Sequence, residues 1–137
     1  MKNPIEIDHL GIAVRSLDES LRFYEQMLGL TVSQCETVAA EQVSVAMLPA
    51  GREASSPRIE LLESAAEGSV IGKFVERHGP GLHHIALRVD NLSAVLERLK
   101  SEGARLLNEP RRGAGGHLYV FVHPASTGGV LLELIQK

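Results

Sequence analysis

Asp8-His9-Leu10-Gly11-Ile12-Ala13-Val14-Arg15-Ser16-Leu17 returns later in the chain as His83-His84-Ile85-Ala86-Leu87-Arg88-Val89-Asp90-Asn91-Leu92. Each copy alternates apolar and other residues at the period of a strand, then passes into apolar residues at helical spacing. Ser16 with Glu19 three residues on makes a capping box, and Leu17, Leu21, Tyr24 and Leu28 carry a helix up to Gly29. The second helix starts after Asn91, carries Leu92, Val95, Leu96 and Leu99, and stops at Gly103. The closing segments match too, Arg58-Ile59-Glu60-Leu61-Leu62 with Leu131-Leu132-Glu133-Leu134-Ile135. His9 to Glu60 spans 51 residues and His84 to Glu133 spans 49. The chain therefore reads as one unit written twice.

Working outward, strands are expected at 5–14, 31–38, 42–49 and 57–63, then at 82–90, 104–108, 117–123 and 129–135. Helices are expected at 17–28, 69–78 and 92–102, and Pro49–Pro57 reads as a polar turn. Residues 64–81 link the halves, with Gly79-Pro80-Gly81 closing the linker. Helices on one face of mainly antiparallel sheet define an α+β fold of two tandem βαβββ modules, about 5–63 and about 82–137, within a single domain over 1–137.

Composition narrows the function classes. The 137 residues are 44% hydrophobic and 23% charged with a formal net charge of −3, which suits one compact domain and argues against disorder and against a dedicated nucleic-acid binder. No apolar run approaches the roughly 20 residues needed to cross a bilayer, so no membrane partner is expected. Met1-Lys2-Asn3-Pro4-Ile5-Glu6 meets acidic residues at once and shows no export signal. A single cysteine, Cys35, makes no internal disulfide and suits a cytoplasmic location.

Strand parity places the chemistry. Leu10, Ile12 and Val14 make the apolar set that meets the helix, so His9 falls on the other face with Ile7, Gly11 and Ala13. His84 falls opposite Ile85, Leu87 and Val89, beside Ala86 and Arg88. Glu60 faces away from Ile59 and Leu61, and Glu133 away from Leu132 and Leu134. A lone strand histidine or glutamate is ordinarily a solvated or hydrogen-bonded surface group. Here the repeat carries both types in the same slots of both halves. Curved sheets facing one another would bring His9, Glu60, His84 and Glu133 around one cavity, with small Gly11, Ala13 and Ala86 leaving room for a substrate. Neutral imidazoles and carboxylates suit zinc, cobalt, nickel, iron or manganese. A dication with two carboxylates is formally neutral, which makes burial of the group cheaper than burial of either charge.

The residues that carry a family likeness are Gly81-Leu82-His83-His84-Ile85-Ala86, Gly113-Ala114-Gly115-Gly116 and His123-Pro124-Ala125-Ser126-Thr127-Gly128-Gly129-Val130-Leu131-Leu132-Glu133-Leu134. The chain resembles, over essentially its whole length, the vicinal oxygen chelate (glyoxalase/bleomycin resistance/dioxygenase) superfamily, and within it the methylmalonyl-CoA epimerases. The resemblance implies curved mixed sheets around a metal, held by His9, Glu60, His84 and Glu133. It implies a divalent cofactor, cobalt first with zinc, nickel or manganese as alternatives, an acyl-CoA substrate and a homodimer. It implies proton abstraction alpha to a thioester, with Glu133 as base and a metal-stabilised enolate. The same ligand types occur in bacterial glyoxalase I, which is the alternative activity; a non-enzymatic small-molecule binder of the superfamily is the third. Some epimerases carry a catalytic glutamate on the third strand, where this chain has Ser44 in Glu41-Gln42-Val43-Ser44-Val45-Ala46, so Glu41 is the weaker candidate for a second acid/base.

Other residues give weaker signals. Arg111-Arg112-Gly113-Ala114-Gly115-Gly116-His117 reads equally as an anion-holding loop or a plain hairpin connection. His83 reads as packing, His123 as a strand-end turn residue, and Tyr119 with Phe121 as core or pocket lining. Cys35 has neither a CxxC partner nor a cationic neighbour, which argues against catalysis.

Overall fold

The structure is a computed structural model and describes residues 4–137, so the reading made on Met1-Lys2-Asn3 lies outside the described residues. The described residues form two compact units, one of His9–His83 and one of His84–Lys137 together with residues 4–8.

In the His9–His83 unit, β1 (Ile5–Ala13, entering at His9) is followed by α1 (Leu17–Leu21), β2 (Gln34–Val38), β3 (Val43–Pro49), β4 (Arg58–Ser64) and α2 (Val70–His78). The strand order is β2-β3-β4-β1, with β1 and β4 parallel and the other neighbours antiparallel. Ser16 caps α1 by accepting from the N–H of Glu19 at 3.2 Å, as the capping box predicts. The helix then widens into a π-helical stretch, Arg22–Met27, where the N–H of Leu28 reaches the carbonyl of Phe23 at 2.8 Å. Val14, Ala46, Leu48 and Leu61 form the buried centre, with Ile12, Leu17, Leu21 and Tyr24 packed against it.

In the other unit, β5 (Gly81–Val89, entering at His84) is followed by α3 (Leu92–Ser101), β6 (Arg111–Arg112), β7 (Leu118–Val122), α4 (Pro124–Thr127) and β8 (Leu132–Gln136). Its strands run in the order β5-β8-β7-β6, β5 and β8 parallel and the rest antiparallel. Val89, Leu92, Leu96, Val120, Val122 and Leu134 pack together. Each such aliphatic side chain stabilises by roughly 1.5–3 kcal/mol, so strand alternation against an amphipathic helix dominates the stability of each unit. The fold is mixed α+β; the first half runs strand, helix, three strands, and the second follows the same order with the short α4 inserted before its last strand. Among the described residues no helix is long and apolar enough to cross a membrane.

The expected strand at 104–108 is absent. Leu106 makes one isolated bridge to Val122, and the ladder then breaks because the Asn108 side chain takes the backbone's place. Its Oδ1 accepts from the N–H of Phe121 at 2.9 Å, and its Nδ2 donates to the carbonyl of Tyr119 at 3.4 Å. Pro110 has no N–H to donate, so strand pairing resumes only at Arg111–Arg112.

Candidate metal and catalytic site

In the His9–His83 unit, β1 and β4 lie side by side with Gly11 paired to Glu60. His9 is two residues upstream on the same face, and Gly11 puts no side chain between them. The His9 Nε2 lies 3.4 Å from the Glu60 Oε1, both residues buried. The other unit repeats this with Ala86 paired to Glu133 on β5 and β8. There the His84 Nε2 lies 3.1 Å from the Glu133 Oε1, again with both residues buried. Each half therefore holds one buried His–Glu pair, both members on the strand face that parity assigns to them.

The antiparallel neighbour of each carboxylate is apolar. Met47 on β3 stands opposite Glu60, and Phe121 on β7 stands opposite Glu133. The Phe121 ring meets the His84 ring edge-on at 5.5 Å, and Tyr119 meets Phe121 at 5.6 Å. Tyr119, Ala86 and Ile135 close a small apolar cluster with Phe121. The aromatic pair thus lines the His84 face. Its signal in the sequence is the register that sets Phe121 against Glu133. A carboxylate this deep needs a donor or a cation beside it, and an imidazole nitrogen is what each one has. Imidazole plus carboxylate, with Nε2 nearest the acid in both pairs, is a donor set that fits a divalent ion.

Several residues fall elsewhere. Ser44 shares the face of Ala46 and Leu48, and its hydroxyl lies 3.0 Å from that of Thr37. The β3 residues on the Glu60 face are Val43, Val45, Met47 and Pro49, none of them an acid or base. Glu41 ends a 3₁₀ turn, Ala39–Glu41, before Gln42 enters the left-handed region. His83 packs edge-on against Phe74 at 4.9 Å, a structural role. The His123 Nδ1 accepts from the N–H of Ala125 at 2.9 Å and so caps α4, a short helix the sequence reading took for a turn. Arg112 donates to the carbonyl of Gly116 at 2.7 Å, within its own loop. Cys35 is exposed and free.

One polar cluster went unread. Asp8, fully buried, accepts from the Arg88 Nη1 at 3.0 Å and lies 3.0 Å from the Lys137 Nζ, while the Arg88 Nη2 donates to Glu6. The hydrogen bond that Arg88 donates to Glu6, with the charge of Asp8 behind it, outweighs partial burial and holds the Arg88 guanidinium above its usual pKa. A cavity of about 560 Å³ opens in the same unit beside α3, between Asn91, Lys100, Glu109 and Gln136, and neither His84 nor Glu133 lines it.

The chain belongs to the glyoxalase/bleomycin resistance protein/dioxygenase superfamily, which it matches over residues 8–121. Within it, the chain has methylmalonyl-CoA epimerases as relatives. The mitochondrial methylmalonyl-CoA epimerase of Homo sapiens is 36% identical over 132 residues, 95% of this chain and 73% of that protein. A Streptomyces coelicolor methylmalonyl-CoA epimerase, solved in complex with 2-nitronate-propionyl-CoA, superposes with a TM-score of 0.90 at 36% identity, covering 96% of each chain. The uncharacterized protein YqjC of Bacillus subtilis is 40% identical over 95% of this chain and 91% of its own length.

Proposed function

We propose that this chain is a divalent-metal-dependent epimerase of methylmalonyl-CoA or a close acyl-CoA, with His9, Glu60, His84 and Glu133 as the ligands of one ion. The observation that carries the reading is the buried His–Glu pair repeated at the same strand register in each half. The epimerase relatives supply the substrate class. A bound dication would supply Lewis-acid polarisation of the substrate's thioester oxygen, lowering the acidity barrier at the adjacent carbon.

The chain's own residues do the rest. A Glu133 carboxylate oxygen takes the proton from the carbon between thioester and carboxylate, leaving the electron pair delocalised into the thioester. A second acid on the opposite face, for which Glu41 is the candidate, gives its proton to the carbon while Glu133 keeps the one it removed; the configuration is inverted, and proton exchange with solvent resets both groups. Phe121 stands opposite Glu133 and, with Tyr119 and Ile135, makes this side of the site apolar, which lowers the local dielectric and strengthens the carboxylate's interactions. The opposite-face group is not on the site face of β3, where Val43, Val45 and Met47 stand. Cobalt is the first choice of ion, with zinc, nickel or manganese behind it. A homodimer in the cytoplasm remains the expectation, the single free thiol of Cys35 supporting the compartment.

Glyoxalase I activity is the second reading, favoured by the carboxylate at Glu60, since the ligand types are then those of a bacterial glyoxalase I. Four intact donors weigh against a non-enzymatic binder. Purified protein loaded with cobalt is assayed on methylmalonyl-CoA and on the methylglyoxal–glutathione hemithioacetal. Inversion of the first with exchange of its acidic hydrogen into deuterated water is expected. Turnover of the second alone would replace the epimerase reading.

A further inference from the structure

The strand that carries each glutamate also holds the start of its own half's helix. The Glu63 Oε1, on β4, accepts from the N–H of Leu17 at 2.6 Å. The Gln136 Oε1, on β8, accepts from the N–H of Leu92 at 2.7 Å. Leu17 and Leu92 are the first residues of α1 and α3, where the backbone N–H has no partner within the helix. Ser16 and Asn91 already cap these helices from within, accepting from Glu19 and Ala94. The extra acceptor therefore comes from the sheet in both halves.

Its placement repeats. Glu63 follows Glu60 by three residues, as Gln136 follows Glu133, and Leu17 follows His9 by eight, as Leu92 follows His84. In each half the chain leaves the histidine-bearing strand, reaches the helix, and is bonded back to the glutamate-bearing strand. That closes a loop across two parallel strands whose register sets the His–Glu distance, and in which a one-residue slip would turn every side chain to the other face. One half uses a carboxylate and the other an amide, so an acceptor oxygen at that point is the common requirement.

We infer that Glu63 and Gln136 are positioning residues, register latches that hold His9 against Glu60 and His84 against Glu133 in the geometry metal binding needs. The inference rests on the proposed metal site. Visible absorption of bound cobalt reports both affinity and ligand geometry, and thermal unfolding run in parallel reports stability. Glu63→Ala, still folded at the temperature of the titration, should bind cobalt about tenfold more weakly with altered band shape, in the range seen for loss of outer-shell partners. Glu63→Gln should stay within about twofold of the parent, because Gln136 does the same task. Gln136→Ala breaks the matching contact of the other half and should weaken cobalt binding in the same way if Glu63→Ala fails to fold. Parent protein that binds no cobalt overturns the metal site and the latch together. Parent protein that binds cobalt, with Glu63→Ala or Gln136→Ala matching its affinity and spectrum while melting earlier, overturns the latch alone.

Discussion

The two halves share a plan and differ in finish. Around Glu60 the neighbours are Gly11 and Met47; around Glu133 they are Ala86 and Phe121, with Tyr119 behind. The His84–Glu133 contact is 3.1 Å and the His9–Glu60 contact 3.4 Å. Where Arg88 anchors a buried ion cluster, the corresponding residue of the first half is Ala13, fully buried and apolar. The first helix loosens into a π-helical stretch, whereas the second stays regular over Leu92–Ser101. A common frame repeats the buried His–Glu pair in both halves, and the proton transfer proposed above falls in the half with the aromatic neighbours.

The sharpest test of that division is chemical. Glu133→Gln keeps shape and an oxygen that can coordinate but removes the proton acceptor, so turnover should fall by roughly 10²–10⁴-fold and isotope exchange with it. Glu60→Gln should cost far less, because no proton passes through Glu60. Equal losses in the two variants, followed by chiral analysis and deuterium incorporation, would erase the distinction between the halves.

Metal binding should treat the halves alike. His9→Ala and His84→Ala should each lose more than the roughly 10–100-fold in affinity typical of an outer-shell partner, read by elemental analysis after dialysis. Acidification should release the ion with uptake of protons by the ligands, measurable by calorimetry in buffers of different ionisation enthalpy. Full occupancy retained in either variant would mean that one half does not ligate.

The two His–Glu pairs were legible because strand parity and an internal repeat are properties of spacing, and buried strands obey spacing closely. Asn108 was not legible as a ladder-breaker, since its effect depends on reaching the backbone of Phe121 and Tyr119 on β7. The Glu63 and Gln136 contacts span 46 and 44 residues and join a side chain to a backbone amide, which no local pattern announces. The likeness that points to Ser44 follows position along the chain, whereas strand parity puts Ser44 on the face of Ala46 and Leu48, and puts Val45, one residue on, on the Glu60 face.

Stability should separate the halves where the binding chemistry does not. Arg88→Met leaves the fully buried Asp8 with Lys137 as its cation and should cost about 2–3 kcal/mol, somewhat below a fully buried pair because the Arg88 side chain is 19% exposed. The guanidinium is held above its ordinary pKa, so its contribution is fully present below that range and is lost only in strong alkali. Denaturant unfolding at about pH 6 and about pH 9 should therefore give the same penalty. A penalty under about 0.5 kcal/mol would make the cluster incidental.

The smallest expected effect lies in the 3₁₀ turns that precede β3 and β7. Gln42 sits at φ 54°, the left-handed region, where a side chain costs roughly 1–2 kcal/mol. The corresponding turn of the other half, Ala114–Gly116, places Gly115 and Gly116 at φ 72° and 76°, and glycine takes that conformation freely. Gln42→Gly removes the steric cost but adds roughly 0.5–1 kcal/mol of backbone entropy to the unfolded chain, leaving a net gain of about 0.5 kcal/mol. The reverse change, Gly116→Gln, has open space for a side chain yet meets the same backbone restriction, so it should lose about 1 kcal/mol or more. Thermal unfolding of the two single variants and the double variant reads both. The small gain and the larger loss should add in the double variant, since the turns lie in separate units. If Gln42→Gly lowers the melting temperature, the Gln42 turn is held by side-chain contacts stronger than its strain, and the two connections differ in more than the residue that takes the positive φ.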